Sequence, residues 1–412
     1  MDNNFLAMIK LFAYGSTGNM QEMSYDFDCK KVMDYAQEQG VWQIVFVALQ
    51  KLQKEGKIKA DSLWFDNTNL QVVMSCLNNS ATLENSHKIM ADLNKAGIKN
   101  CLIKGETLAK LYFKPECRVS GDTDIYIGNG DDKTACEILY KHGYTIEPKT
   151  DNSNHYNCTH PRFGELELHT TLYDKIMHDI WFYNINMVEE EYINCGNYNT
   201  LGYTDGCLYI VLHAIKHFLS AGFGVRHIMD LLLYMENHYD KMDTQRFFDI
   251  MKQLKYFHFV EVMAGIGEKY FGIKSKFDAH YTNEEVQNVM KEIYKGGIFG
   301  HKREKFNTFG IYTNMLISSR TNQNPEKVME KWRRKNAIKA LSFSPSQMYR
   351  HYPYCQKNKW FLPVAWCNHT VFILKTVFTR IGLVKEILNY KTPGVDEETQ
   401  NKINLLKDLE II

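Results

Sequence analysis

A chain of 412 residues, 44% of them hydrophobic, is long enough to bury more than one core, and its 49 lysines and arginines against 48 acids leave a formal net charge of +1. That balance excludes a global field for gathering DNA or anionic membrane, so any phosphate binding has to be local. No apolar run reaches transmembrane length, no secretory leader opens the chain, and the ten cysteines form no Cys-x-x-Cys pair, so the expectation is a cytoplasmic protein with reduced thiols and no membrane partner.

The first 80 residues carry helical periodicity. In "VMDYAQEQGVWQIVFVALQKLQKEG", Val41, Ile44, Val45, Ala48, Leu49 and Leu52 share one face and Gly56 stops the helix, which predicts a helical lead-in over 1–80. A second helix, "ATLENSHKIMADLNKAG", runs to Gly97, and "IKNCLIKG" after it reads as a short buried strand. "ETLAKLYF" then brings Leu108, Leu111 and Tyr112 to one side, Pro115 closes that element, and the strand "DIYIG" follows. "KTACEILYKHGY" gives a helix ending near Gly143, and the strands "HYNCTH" and "ELELHTTL" flank the turn "PRFG". Short strands alternating with helices predict an α+β fold, a small mixed sheet with flanking helices over 81–200. From Thr204 the pattern turns helical in "DGCLYIVLHAIKHFLSAG", "VRHIMDLLLYMENH" and "EEVQNVMKEIYKGG", which predicts a helical domain over 201–325 and a basic, aromatic C-terminal helical segment over 326–412.

The chemistry concentrates in "CLIKGETLAKLYFKPECRVSGDTDIYIG". Asp122 and Asp124 stand where a strand begins, and a spacing of two puts both carboxylates on one face. Like charges that close are costly without a cation between them, and magnesium takes one or two carboxylates together with substrate phosphates. Upstream, Gly105 lies at a strand-to-helix junction where a phosphate can approach free backbone amides, and Lys104 adds a positive charge there. Downstream, "GELELH" alternates Glu165, Glu167 and His169 on one strand face, offering a third carboxylate.

Lys104-Gly105, a helix, the pattern R-x-x-x-D-x-D-I-x-I from Arg118 to Ile127, and E-L-H at Glu167 to His169 together resemble the uncharacterised nucleotidyltransferase family within the DNA polymerase beta-like nucleotidyltransferase superfamily. The likeness starts at about residue 75, continues through "LHAIKHFLSAGFGVRHIMDLLL", and extends more loosely into "FSPSQMYRHYPYCQKNKWFLP". It implies a nucleotidyltransferase-type sheet and two magnesium ions held by Asp122, Asp124 and Glu167. It also implies a phosphate-facing turn at Gly105, and transfer of a nucleoside monophosphate from a nucleoside triphosphate such as ATP with release of pyrophosphate. Lys104, Gly105, Glu106, Arg118 and His169 are the expected nucleotide-side residues, and the acceptor is an unidentified small molecule, protein or nucleic acid. Two departures stand out: Glu106 follows the glycine where the superfamily has serine or glycine, and Thr123 replaces an apolar residue between the aspartates.

Several residues carry two readings. Arg118 either serves the nucleotide or pairs with Asp122 or Asp124, and His169 either faces the cleft or is a satisfied structural histidine. His213 and His217, four apart on one helical face, have a metal-binding spacing without a third ligand in the sequence pattern, and packed rings are the simpler reading. Arg226 and Asp230 have the spacing of an intrahelical ion pair, while Gly222 and Gly224 read as turn glycines. "KWRRKN" at 331–336 is either a nucleic-acid contact or a basic helix face. Competing functions are a nucleotide- or partner-binding module without catalysis and an Asp-x-Asp glycosyltransferase, although in the latter the acids normally end a strand.

Overall fold

The computed structural model describes residues 1–128, 131–149, 153–173, 177–178, 181, 190–219, 222–297, 316, 348, 352, 354, 359–379 and 397–412. The basic stretch 331–336 and most of "FSPSQMYRHYPYCQKNKWFLP" lie outside the described residues. The chain divides into two compact units, one of Met1–Phe309 with Lys407–Ile411 and one of Gly310–Leu406 with Ile412. In the second unit the described residues include a helix over Leu362–Thr379, on which Ala365 is buried and Leu362 and Trp366 are partly so, packed with Met348 and Tyr352. None of the described helices is long and apolar enough to cross a membrane.

The first unit opens with α1 (Asn3–Thr17), α2 (Cys29–Glu38) and α3 (Trp42–Lys54). Asp2 and Asp28 accept the first free amides of α1 and α2, as good N-cap residues do. Ile44, Val45, Ala48, Leu49 and Leu52, the face expected from the sequence, are buried on α3. α1 and α3 approach closely because position 15 is glycine: a Cβ there would lie 2.2 Å from the Ile44 carbonyl oxygen. The next helix, α4, runs from Ser62 to Lys95, starting about five turns earlier than the sequence pattern places it. Residue 80 lies inside it.

One mixed sheet forms the centre of this unit, in the order β3-β4-β5-β2-β1-β7-β6. Its members are β1 (Cys101–Ile103), β2 (Asp122–Tyr126), β3 (Thr145–Ile146), β4 (His155–His160), β5 (Gly164–His169), β6 (Ile193–Asn194) and β7 (Asn199–Thr200). Between them lie α5 (Gly105–Ala109) and α6 (Asp132–Lys141). β2 runs antiparallel to β1 and parallel to β5, while β4 and β5 form the expected hairpin. Side chains alternate across the pleat, so each central strand feeds two cores. Leu102, Ile125, Leu166 and Leu168 pack against Ile89, Met90 and Leu93 of α4 and Ala135, Ile138 and Leu139 of α6. On the opposite face Cys101, Ile103 and Tyr126 pack with Leu201 and Tyr209.

The helical remainder follows as α7 (Tyr203–Leu219), α8 (Val225–His238), α9 (Thr244–Gln253), α10 (Phe257–Ile266) and α11 (Asn283–Gly296). Tyr209 places α7 on the second face of the sheet, the face that carries the acids. An α+β architecture with a small mixed sheet and a mainly helical remainder is therefore what the chain adopts.

Candidate functional site

Strand geometry brings the acids together. β2 begins at Asp122, and parallel pairing sets Asp122 beside Glu165, Asp124 beside Glu167 and Tyr126 beside His169. Because the side-chain period is two, these partners share the face turned toward α7. One carboxylate oxygen from each of Asp122, Asp124 and Glu167 lies within 4.8 Å of the others. Glu165 stands at the exposed start of β5, outside that group.

The three acids are not equivalent. Asp124 is 3% exposed, and its two oxygens are taken by Lys104 Nζ at 3.0 Å and His169 Nε2 at 3.1 Å. Burial alone would raise its pKa, but the Lys104 charge and the His169 hydrogen bond outweigh it and hold the carboxyl well below the ordinary range. Asp122, by contrast, has among the described residues only the Ser120 hydroxyl, at 3.5 Å, as a side-chain hydrogen-bond contact. Burial, then the neighbouring Asp124 charge, raises its pKa. Glu167 touches His169 Nε2 at 3.1 Å and His155 Nε2 at 3.6 Å, and the His169 hydrogen bond lowers its pKa against burial.

His169 is oriented from behind. The Asn154 amide donates to its Nδ1 at 3.0 Å, which leaves the Nε2 proton facing Asp124 and Glu167. Burial would lower the His169 pKa, and hydrogen bonds to the two carboxylates more than offset that. Sequence reasoning placed His169 but missed His155 and Asn154. The hairpin register is the signal that leads to them, since it sets His155 opposite His169.

Lys104 and Gly105 form the turn between β1 and α5. Lys104 has φ 57° and ψ −127°, a conformation that costs a non-glycine residue roughly 1–3 kcal/mol. Gly105 follows at φ 48°, and a Cβ there would meet nothing within 4 Å, so its glycine answers a backbone requirement and leaves open space. α5 is a five-residue helix, and the turn therefore offers a few free amides rather than a developed helix dipole. The Lys104 ammonium, read from sequence as a free charge at the turn, bridges Asp124 and His213, reaching His213 Nε2 at 3.2 Å. Charges of Asp124 and Asp122 keep its pKa raised despite burial, which alone would lower it.

Two of the expected nucleotide-side residues face elsewhere. Arg118, 4% exposed, donates from Nε and a terminal nitrogen to both oxygens of Asp230, at 2.8 and 2.6 Å, and from its other terminal nitrogen to the Gly105 carbonyl at 3.2 Å. Asp230 thus pairs across 112 residues with Arg118, where the sequence spacing had suggested Arg226 on its own helix. Arg226 donates instead to the Val119 carbonyl. Glu106 turns to His87 at 2.6 Å and Lys110 at 2.9 Å and stands apart from the acid cluster. His213 and His217 do acquire a third histidine, His227 from the first turn of α8, which sequence reasoning did not find.

A cleft of about 630 Å³ opens beside the site. Gln71, Asn78 and Asn79 of α4 form one wall, Phe163 and Arg162 of the hairpin turn another, and Gly105 and Asp122 reach its floor. Of the three acids, Asp122 is therefore the one that lines the cleft, and it has no ion-pair partner among the described residues.

A small mixed sheet presenting clustered carboxylates beside a glycine turn is a nucleotidyltransferase-type arrangement. The model of the uncharacterised nucleotidyltransferase family matches residues 25–272, more than half of the chain, and the chain belongs to that family. Nucleotidyl transfer is accordingly its general reaction class. Among solved structures, the crystal structure of a tRNA nucleotidyltransferase complexed with a primer tRNA and an incoming ATP analogue is similar at 14% identity, covering 79% of this chain and 100% of that one, with a TM-score of 0.19. No curated protein matches the chain.

Proposed function

We propose that this protein transfers a nucleoside monophosphate from a nucleoside triphosphate, ATP among them, to a hydroxyl-bearing acceptor with magnesium-dependent release of pyrophosphate. The observation that carries this reading is the convergence of Asp122, Asp124 and Glu167 within 4.8 Å, with Asp122 also lining a cleft that reaches Gly105. A donor set made wholly of carboxylate oxygens suits magnesium, and the raised pKa of Asp122 marks a site short of positive charge. Asp122, Asp124 and Glu167 would hold the metal, two ions as the family resemblance implies, and when bound it supplies Lewis-acid stabilisation of charge on the phosphoryl oxygens and leaving pyrophosphate.

The remaining roles fall to the chain itself. Gly105 admits the triphosphate to the backbone, and Lys104, anchored on Asp124, supplies fixed positive charge at the same turn. The acceptor hydroxyl attacks the α-phosphorus in line, the bond to the pyrophosphate oxygen breaks, and the hydroxyl proton passes to Glu167. The lowered pKa of Glu167 keeps it ionised for that task, while His169 and His155 hold it in position. Arg118 supports the turn through the Gly105 carbonyl rather than touching phosphate. The 81–200 segment is proposed as the catalytic core, with 1–80, 201–325 and 326–412 as flanking segments.

The test is to follow pyrophosphate release from each triphosphate with magnesium in cell extract, then find by mass spectrometry the molecule that gains a nucleotide. Release that Asp122→Asn abolishes supports the proposal, and no release with any triphosphate overturns it. A binding module without turnover is the second reading, favoured by the lysine already seated on Asp124. Calorimetric ATP binding without release under any condition would establish it.

A further inference from the structure

Beyond the carboxylates, the same unit gathers three imidazoles that the proposed reaction does not use. His213 and His217 lie four residues apart on one face of α7, and the turn through Gly222 and Gly224 returns the chain so that His227 meets them. The ring centroids of His217 lie 4.5 Å from His213 and 4.8 Å from His227. One ring nitrogen from each histidine lies within 4.8 Å of the others, and all three side chains are partly buried.

We propose that His213, His217 and His227 form a second metal site, for a borderline divalent transition ion such as zinc or cobalt, separate from the carboxylate site and joined to it through Lys104. The donor chemistry separates the two. Imidazole nitrogen suits zinc, cobalt and nickel, whereas magnesium selects oxygen, so each cluster has its own class of ion. Three protein ligands also leave a coordination position open.

The state of the rings fits this use. Burial, followed by the charge of Lys104, lowers the pKa of His213 and of His217, the latter to about 4, and burial lowers that of His227 as well, which favours the uncharged rings that bind metal. For His227 the next contribution after burial comes from its neighbour His217. Among the described residues no hydrogen bond of normal geometry reaches the enclosed Nδ1 of His217, although the Gly222 backbone lies close enough to oppose the pKa shift slightly. A coordinated ion would give that enclosed nitrogen a partner. Nδ1 of His227 sits 3.2 Å from the Gly224 amide and 3.4 Å from the Gly224 carbonyl. In the tautomer that donates to the carbonyl, Nε2 is free to coordinate and the backbone fixes the ring.

Two features set the limits of the site. Nitrogens around a tetrahedral zinc stand about 3.4 Å apart, so the rings must close inward on loading. Lys104 also spends a proton on His213 Nε2 at 3.2 Å, and its charge opposes an incoming cation. Loading therefore sets the histidines in competition with the lysine that anchors Asp124, which links the occupancy of the two sites.

The inference stands apart from nucleotidyl transfer, and the experiment needs no turnover. Metal-free full-length protein is titrated with cobalt and read by visible absorption and bound metal per chain. One ion per chain with four- or five-coordinate absorption is expected, surviving excess magnesium. His217→Gln and His227→Gln should each weaken it by at least about tenfold, Asp122→Asn should leave it, and Lys104→Met should tighten it. Absorption that magnesium abolishes in wild-type protein, that both histidine variants retain, or that Asp122→Asn removes would overturn the proposal. So would phosphate binding at the cluster without cobalt uptake. The magnesium competition uses wild-type protein alone and can overturn the proposal even where a variant fails to fold.

Discussion

Two buried charge clusters lie within a few residues of each other in this chain and are built on opposite plans. At Arg118 and Asp230 the account closes: both carboxylate oxygens are held by a bidentate guanidinium, Tyr112 donates to one of them at 2.7 Å, and the remaining guanidinium nitrogen finds the Gly105 carbonyl. At Asp122, Asp124 and Glu167 it does not close. Lys104 and His169 satisfy Asp124, while Asp122 keeps a raised pKa and, among the described residues, no ion-pair partner. A closed pair holds structure in place, and an open one leaves electrostatic work for a ligand to complete.

The largest effect should come from breaking the closed cluster. Arg118→Met strands the Asp230 carboxylate in the interior and frees the Gly105 carbonyl, and a loss of about 3–5 kcal/mol in chemical denaturation is expected. If stability fell by less than about 1 kcal/mol, the structural reading of that pair would fail.

Asp122→Asn should behave in the reverse manner. Removing a carboxylate that burial and Asp124 already disfavour relieves repulsion, so the fold should be as stable as wild type or slightly more so. Pyrophosphate release should fall at least on the order of a hundredfold, the scale of losing one preorganised electrostatic contact. Loss of stability with turnover retained would reverse the assignment of the two clusters.

Glu106→Gln sharpens the boundary between them. Its carboxylate is committed to His87 and Lys110, so the substitution should change stability by less than about 1 kcal/mol and leave the KM for triphosphate unmoved. A tighter KM would mean that Glu106 repels the phosphates, as its position after the glycine had suggested.

The open cluster was more legible in the sequence than the closed one, for a physical reason. Strands with a period of two and turn residues at their ends announce themselves, and β4 occupies the expected "HYNCTH" while β2 begins at the expected aspartate. A carboxylate trio on neighbouring strands follows from that pattern. The partner of Arg118 does not, because nothing local marks a residue 112 positions away. The first half of α4 was hidden too, since Leu63, Leu70, Met74 and Leu77 are exposed and the side it buries runs through Thr68 and Val72, only one of which is apolar. β6 and β7, two residues each, are too short to carry a period at all.

The smallest expected effect repeats the motif of the open site in the helical remainder. His258 stands between Glu261 at 3.1 Å and Glu285 at 3.0 Å, tying α10 to α11, much as His169 stands between Asp124 and Glu167. Burial would lower the His258 pKa, but hydrogen bonds to the two glutamates more than offset it and leave it raised above its ordinary 6.5. The folded state therefore holds this proton more tightly than the unfolded chain, and the slope of stability against pH is negative wherever the folded state binds more protons. The contribution is complete below about pH 6.5 and disappears as pH rises through the folded pKa. Glu261 is buried while His258 and Glu285 are partly exposed, and the contribution should amount to no more than about 1 kcal/mol. Denaturation midpoints from pH 5.5 to 8.5, about one unit below to two above the ordinary histidine value, should decline in wild type relative to His258→Gln. Parallel profiles would mean that a histidine between two carboxylates holds no extra proton here.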